Sequence, residues 1–138
     1  MTLSALSPIT GTLLVAAGGA LGAVLRYQLG RFVAQLAGPG AAFPWGTLAA
    51  NVIGSLAMGL LFGWLARGGV ESGSNEALRL MLGVGLLGGF TTFSAFSLEM
   101  MQLIERGATG LALAYAGVSV IAGLAALWLG LAMMRGAA

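Results

Sequence analysis

The chain has 138 residues, of which 59% are hydrophobic and 7% are charged, and its mean hydropathy is +0.99. Roughly a quarter of the residues of a soluble domain are charged, so this composition predicts an integral membrane protein. Cysteine and histidine are absent and the net charge is only +2, which excludes cysteine and histidine metal sites, thiol and histidine catalysis, and a basic patch for a nucleic-acid partner.

Four apolar stretches of about 20 residues or more divide the chain, and at about 1.5 Å per residue each can cross a hydrocarbon core of roughly 30 Å. The connections are short and rich in glycine, proline or charge. The N-terminal run lacks the positive charge of a signal peptide, so the first stretch is expected to remain as a transmembrane helix. The sequence therefore predicts one all-α domain, 1–138, with helices at about 12–36, 46–66, 78–104 and 107–134.

The first predicted helix combines small residues with one charge. Gly18 and Gly22 are four residues apart, a spacing that allows two helix backbones to approach closely in lipid. Arg26 follows late in the same helix. Its guanidinium is expected either to stand at the vestibule of a pore or to reach the membrane surface as an anchor, and the sequence leaves both interpretations open.

The second predicted helix has a polar face. Thr47, Asn51, Ser55, Gly59 and Gly63 recur every fourth residue and share one side of an otherwise apolar helix. The buried amide favours a polar lining. Helix-to-helix hydrogen bonding, at about 1 kcal/mol or less per bond, is the alternative.

The third predicted helix contains two glycines followed by two threonines, at 88–92, which favours an interruption of the helix near its middle. An interruption frees backbone carbonyls that need a partner in a water-poor place. A bound cation such as Na+ is one such partner. A simple kink, with the carbonyls satisfied by the hydroxyls of Thr91 and Thr92, is the other.

The fourth predicted helix adds Tyr115 and Ser119 on one face, and the third adds Phe93 and Phe96 with Ser94 adjacent. These groups are neutral hydrogen-bond donors and phenyl edges, which carry the positive part of the ring quadrupole. Cation paths use acidic residues, and here Glu99, towards the end of its helix, is the sole intramembrane candidate. The combined lining predicts passage of a small anion.

Arginines near the two ends of the helices are balanced. Three would lie on one side of the membrane and three on the other, so they set no preferred orientation. Such a chain can insert both ways, and two copies can then pair antiparallel about an axis in the membrane plane. The alternative is a monomer of single topology.

Three segments resemble the signature blocks of the CrcB/Fluc fluoride channel family. They are 18–27 (GGALGAVLRY), 46–54 (GTLAANVIG) and 88–97 (GGFTTFSAFS), in the expected order and on the expected helices. With Tyr115 and Ser119 the resemblance covers essentially the whole chain. Ala95 departs from the pattern, because the family often has Thr or Ser between the two phenylalanines.

The resemblance implies a passive fluoride channel of the bacterial inner membrane that gives fluoride resistance, built as an antiparallel dual-topology homodimer with two pores. It implies vestibule placement of Arg26, and a structural Na+ held at the helix break by backbone carbonyls of Gly88 and Thr91. Together the polar faces and the resemblance predict that the fluoride path is lined by Asn51, Thr92, Phe93, Ser94, Phe96, Tyr115 and Ser119.

Two other classes of function are compatible with a short four-helix membrane protein. A small multidrug-type exporter would need a carboxylate in the first helix, which contains neither Asp nor Glu. A membrane scaffold would use the polar faces only to bind helices together, and ion-selective conductance separates it from both transport functions.

Overall fold

The computed structural model describes residues 6–67 and 73–136. Four helical spans in these ranges are long and apolar enough to cross a membrane: Pro8–Ala37, Trp45–Arg67, Asn75–Glu105 and Thr109–Gly136. Across the same ranges the chain forms helices and turns but no strand. The predicted all-α fold with four spans is therefore confirmed.

The first helix, α1 (Pro8–Ala37), starts at Pro8 rather than at the predicted position 12 because local capping extends it. The Ser7 side chain accepts a hydrogen bond from the Thr10 N–H at 3.1 Å, and Pro8 occupies the first turn, where no backbone N–H is needed. The second helix is α2 (Trp45–Arg67). The connection predicted between the second and third helices falls partly on residues 68–72, which lie outside the described residues.

The third span is built from several pieces. It begins as α3 (Gly73–Leu78), continues as a π-helical segment (Arg79–Leu87) and ends its first half in the short α4 (Gly88–Phe90). The second half is α5 (Phe93–Glu105). Between the halves, Thr91 and Thr92 adopt extended backbone, with φ/ψ of −84/159° and −154/124°. The predicted break is confirmed, and it is confined to the two threonines because Gly88 and Gly89 remain helical.

Glycines allow the first half of the third span to lie directly on α1. A Cβ atom on Gly18 would overlap the Met81 carbonyl, and one on Gly89 would lie 2.5 Å from the Gly19 carbonyl oxygen. The fourth helix, α6 (Thr109–Gly136), packs on α2 in the same way, because a Cβ on Gly130 would lie 2.5 Å from the Leu56 carbonyl oxygen. Close backbone contact therefore fixes the register of both helix pairs.

A tight reversal places α5 beside α6. Gly107 has a φ of +77°, which an L side chain rarely adopts, and its N–H donates to the Ile104 carbonyl at 2.9 Å. Together with α2 they form a buried cluster that includes Leu48, Leu103 and Tyr115, against which Phe96 packs. This arrangement brings the polar residues of α2, α5 and α6 together.

Candidate functional site

The Asn51 amide of α2 binds the backbone at the helix break. Its Nδ2 donates to the Thr92 carbonyl at 3.1 Å, and its Oδ1 accepts from the Thr92 N–H at 2.8 Å. An amide matches a peptide unit in this paired geometry, since both carry one donor and one acceptor side by side. The amide nitrogen has two hydrogens, so one remains available for a ligand after the bond to Thr92.

The threonine side chains satisfy other groups at the break. Thr91 Oγ1 donates to the Leu87 carbonyl at 2.9 Å, and Thr92 Oγ1 accepts from the Ala95 N–H at 3.2 Å as the N-cap of α5. The Thr92 hydroxyl also lies 3.2 Å from the Ser94 hydroxyl. The break is thus a stable part of the fold, because the Thr91 hydroxyl bonds the helix before it and the Thr92 hydroxyl caps the helix after it.

The carbonyls of Gly88 and Thr91 are among those that the break leaves without a backbone donor in the described part of the chain. The Thr92 N–H, which a continuous helix would direct to the Gly88 carbonyl, donates to Asn51 instead. Within the described residues, no backbone hydrogen bond outside the helices reaches the carbonyl oxygen of Gly88 or of Thr91. These neutral oxygens are ligands of the kind that hard cations prefer, so the residues present fit the Na+ that the resemblance implies.

Aromatic rings run from the break into the bundle. The ring centroids of Phe93 and Phe96 are 5.8 Å apart, and those of Phe96 and Tyr115 are 5.0 Å apart. Phe43 continues the row with an edge-to-face contact to Tyr115 at 5.3 Å. Phe96 is half-buried in this row, whereas Phe93 is 79% exposed on the outer face of the chain.

Glu99 organises the polar groups at the inner end of the aromatic row. Its Oε1 accepts a hydrogen bond from Thr47 Oγ1 at 2.7 Å, and its Oε2 accepts one from the Tyr115 hydroxyl at 2.7 Å. One carboxylate therefore holds two hydroxyl donors from two different helices. An arriving anion would need these same donors.

A cavity of about 320 Å³ opens next to this group and is lined by Glu99, Thr47 and Arg26 among others. A second cavity, of about 330 Å³, lies beside the break and is lined by Asn51, Thr92 and Phe93 among others. Because Thr47 and Asn51 are one helical turn apart on α2, the two cavities follow each other along the same polar face.

The predicted site residues fall into two groups around these cavities. Asn51, Thr92 and Ser94 meet at the break, while Phe96 and Tyr115 meet in the aromatic row. Ser119, one turn after Tyr115 on α6, has a buried hydroxyl oxygen without a hydrogen-bond partner among the described residues. Phe93 belongs to both groups, because its exposed ring lies 5.8 Å from that of Phe96 and lines the cavity beside the break.

Sequence reasoning missed the pairing of Thr47 with Glu99. The sequence predicts that Glu99 lies towards the end of one long helix, whereas it lies in the middle of α5 because the break divides that span. Two signals were present. Glu99 is three residues after Phe96, and Thr47 is four residues before Asn51, so both share a helix face with a predicted lining residue.

The chain is similar in sequence to known proteins. A family model described as CrcB-like protein, Camphor Resistance (CrcB), matches residues 13–131. The "Fluoride-specific ion channel FluC" of Novosphingobium aromaticivorans is 62% identical over 130 residues, which cover 94% of this chain and all of the relative. The proteins of the same name from Phenylobacterium zucineum and Erythrobacter litoralis are 56% and 49% identical, covering 89% and 96% of this chain and 94% and 98% of their own lengths.

The match to the family model covers most of the chain, and each of these relatives aligns over nearly its full length. The resemblance noted in the three sequence blocks is therefore confirmed. The chain belongs to the CrcB-like family.

Proposed function

We propose that this multi-pass membrane protein is a passive, fluoride-selective ion channel. The observation that carries the proposal is the row of uncharged donors and aromatic edges that links two cavities, from Asn51 at the break to Thr47 and Tyr115 at Glu99. The names of the relatives, all fluoride-specific ion channels, support the choice of ion and a function that is not enzymatic.

Neutral donors suit rapid passage of a small, strongly hydrated anion. Fluoride must exchange its water shell for hydrogen bonds without being held too tightly, because conduction requires both entry and release. The free N–H of Asn51 and the edges of the phenyl rings each offer a weak positive site. A series of such sites passes the ion onward in steps.

The cavity of about 320 Å³ that is lined by Glu99, Thr47 and Arg26 is called the inner cavity below. Glu99 controls how many hydroxyl donors face this cavity. While its carboxylate accepts from Thr47 and Tyr115, both hydroxyl hydrogens point at it rather than into the cavity. When the carboxylate turns away, the two hydroxyls are released together and can donate to fluoride. The number of donors offered to the ion thus depends on the side-chain rotamer of Glu99.

The conducting form of the protein in this proposal is an antiparallel homodimer. Phe93 is 79% exposed in a single chain although its ring continues the aromatic row, so a second copy would complete the lining at this face. The six arginines divide equally between the two sides of the membrane, which also permits insertion in both orientations.

Dual topology can be tested by thiol labelling, because the chain contains no cysteine. A membrane-impermeant reagent applied to intact cells is expected to label about half of a Gly136→Cys variant, since oppositely inserted copies occur in equal numbers. Gly136 is exposed at the end of α6, so reagent access is not limited by packing. Complete labelling or no labelling would contradict this topology.

The Gly88 and Thr91 carbonyls of two such copies would hold Na+ at the dimer axis. The ion would supply the positive partner that these backbone oxygens lack, and it would stabilise the dimer rather than carry the current. We expect replacement of Na+ by N-methylglucamine during purification to shift the detergent-solubilised protein from dimer towards monomer in light scattering, and readdition of Na+ to restore the dimer. A dimer fraction that is independent of Na+ would contradict the assigned site.

The biological role we propose is fluoride export across a bacterial inner membrane, which gives fluoride resistance. Expression in a bacterium that lacks its own fluoride exporter should restore growth in millimolar fluoride. Expression of the Asn51→Asp variant at the same level should not. Restored growth with both proteins would count against the assigned path.

The small multidrug-type exporter is not favoured. That mechanism needs a membrane-embedded carboxylate in the first helix, whereas α1 carries only arginines as charged residues. The carboxylate of the inner cavity, Glu99, is on α5 and accepts hydrogen bonds from two hydroxyls.

A further inference from the structure

The connection between α1 and α2, residues 38–44, is hydrogen bonded at both ends. Gly38, whose φ is +83°, donates its N–H to the Ala34 carbonyl at 3.1 Å and accepts from the Ala41 N–H at 3.3 Å. At the other end, the Trp45 N–H donates to the Phe43 carbonyl at 2.9 Å, where α2 begins. Phe43 is therefore carried on a backbone of defined shape.

The Phe43 side chain turns inward from this connection. It is half-buried, packs on the cluster of Leu48, Leu103 and Tyr115, and lines the inner cavity. The ring of Trp45, which is exposed, lies 4.5 Å from the Phe43 ring between centroids. The aromatic row thus continues from the buried bundle to the outside of the protein.

Tyr115 is contacted by rings from two separate segments of the chain. Phe43 meets it edge-to-face, at 5.3 Å between centroids and 79° between planes, and Phe96 of α5 meets it at 5.0 Å and 50°. Tyr115 is fully buried, and its hydroxyl donates to Glu99 Oε2 at 2.7 Å. Two torsion angles set the position of a tyrosine ring, so contacts that fix the ring also place the hydroxyl on Glu99.

Truncation of the Phe43 ring would enlarge the inner cavity towards Tyr115, because Phe43 both lines that cavity and contacts that ring. An edge-to-face contact favours one ring orientation over another by roughly two- to tenfold. Without the contact, the Tyr115 ring would adopt further orientations in which its hydroxyl leaves Glu99. The carboxylate would then hold only the Thr47 hydroxyl.

We infer that Phe43 is a positioning residue for conduction: its ring, held by the connection between α1 and α2, keeps the Tyr115 hydroxyl on Glu99. The inference rests on the proposed fluoride conduction. It extends the functional site to a segment outside the four spans. Phe43 acts through Tyr115, so its contribution depends on the hydroxyl that Tyr115 carries.

A double-mutant cycle tests this dependence, with fluoride efflux from proteoliposomes as the measurement. Phe43→Leu is expected to lower the efflux rate by roughly fivefold when Tyr115 is present. In the Tyr115→Phe background the same change should alter the rate by less than about twofold, because the hydroxyl is already absent. Phe32→Leu is the matched control, since Phe32 is exposed and lines neither cavity, and its efflux should be unchanged.

Fluorine NMR gives a second readout that is independent of conduction. The chain contains two tyrosines, Tyr27 and Tyr115, so labelling with 3-fluorotyrosine gives one buried and one exposed probe. In Phe43→Leu the Tyr115 signal should broaden or split as the ring takes several orientations, while the Tyr27 signal should stay as it is. Phe43→Met, with a longer side chain, replaces Phe43→Leu if thermal unfolding shows that the leucine variant is not folded.

Equal effects of Phe43→Leu in the two backgrounds, or a single Tyr115 signal as narrow as in the unmodified protein, would overturn the inference. The fluorine signal decides it by itself if Tyr115→Phe releases too little fluoride for a ratio. If the unmodified protein released no fluoride, the proposed function itself would fail. A conducting protein in which Phe43 and Tyr115 act independently would refute only the role of Phe43.

Discussion

Replacing Asn51 by aspartate is expected to abolish fluoride efflux from proteoliposomes, with a decrease of at least roughly 100-fold. The aspartate keeps an acceptor for the Thr92 N–H but loses the donor to the Thr92 carbonyl. Leaving that carbonyl without a partner costs about 1–3 kcal/mol. The new negative charge also repels both the Thr92 carbonyl oxygen and the approaching fluoride. The substitution therefore disturbs the helix break and the fluoride path together.

The matched control for this variant is Gln102→Glu, which makes the same amide-to-acid exchange on an exposed position of α5. We expect its fluoride efflux to equal that of the unmodified protein. Both variants should remain folded in detergent, as followed by thermal unfolding, because neither position contributes to the glycine contacts between helices. Efflux at the normal rate through Asn51→Asp would remove Asn51 from the path.

Replacing Phe96 by isoleucine should lower fluoride efflux by roughly tenfold or more, because ring-edge interactions of about 0.5–1.5 kcal/mol each are lost. The Phe96 ring bridges Phe93 and Tyr115, at centroid distances of 5.8 and 5.0 Å. Isoleucine keeps most of the apolar contact with the buried cluster of Leu48, Leu103 and Tyr115. It removes the positive ring edge on which the proposal depends.

Phe32→Ile is the control for this change, because Phe32 is an exposed phenylalanine of α1 that lines neither of the two cavities. Its efflux should be unchanged, and thermal unfolding in detergent should show both proteins folded. If Phe96→Ile conducts as well as Phe32→Ile, aromatic edges contribute nothing to conduction.

The fold followed from the sequence because membrane spans have a strong signal. Long apolar runs separated by glycine, proline and charge are enough to place four helices, and two glycines followed by two threonines are enough to place the break. Helix ends were less accurate, as at Pro8, where a serine cap extends the helix beyond its apolar core. The π-helical segment Arg79–Leu87 had no sequence signal, and its hydrogen bonding became visible only in three dimensions.

The residues that share one face of each helix were predictable from the sequence. The contacts between side chains of different helices were not. The polar face of α2 and the phenylalanines of α5 were visible from their spacing, because period 3.6 alone groups residues on a face. Which partner each side chain takes depends on how helices are rotated against one another. For that reason the peptide-like pairing of Asn51 with Thr92, and the capture of two hydroxyls by Glu99, required the structure.

The central claim is that a small anion crosses between neutral donors and aromatic edges, and that fluoride is that anion. The most direct test is efflux of fluoride, followed with an ion-selective electrode, from proteoliposomes containing the purified protein, with chloride-loaded vesicles measured in parallel. We expect fluoride release that is faster than chloride release by roughly 100-fold or more. Equal release of the two halides, or fluoride release no faster than from protein-free vesicles, would contradict it.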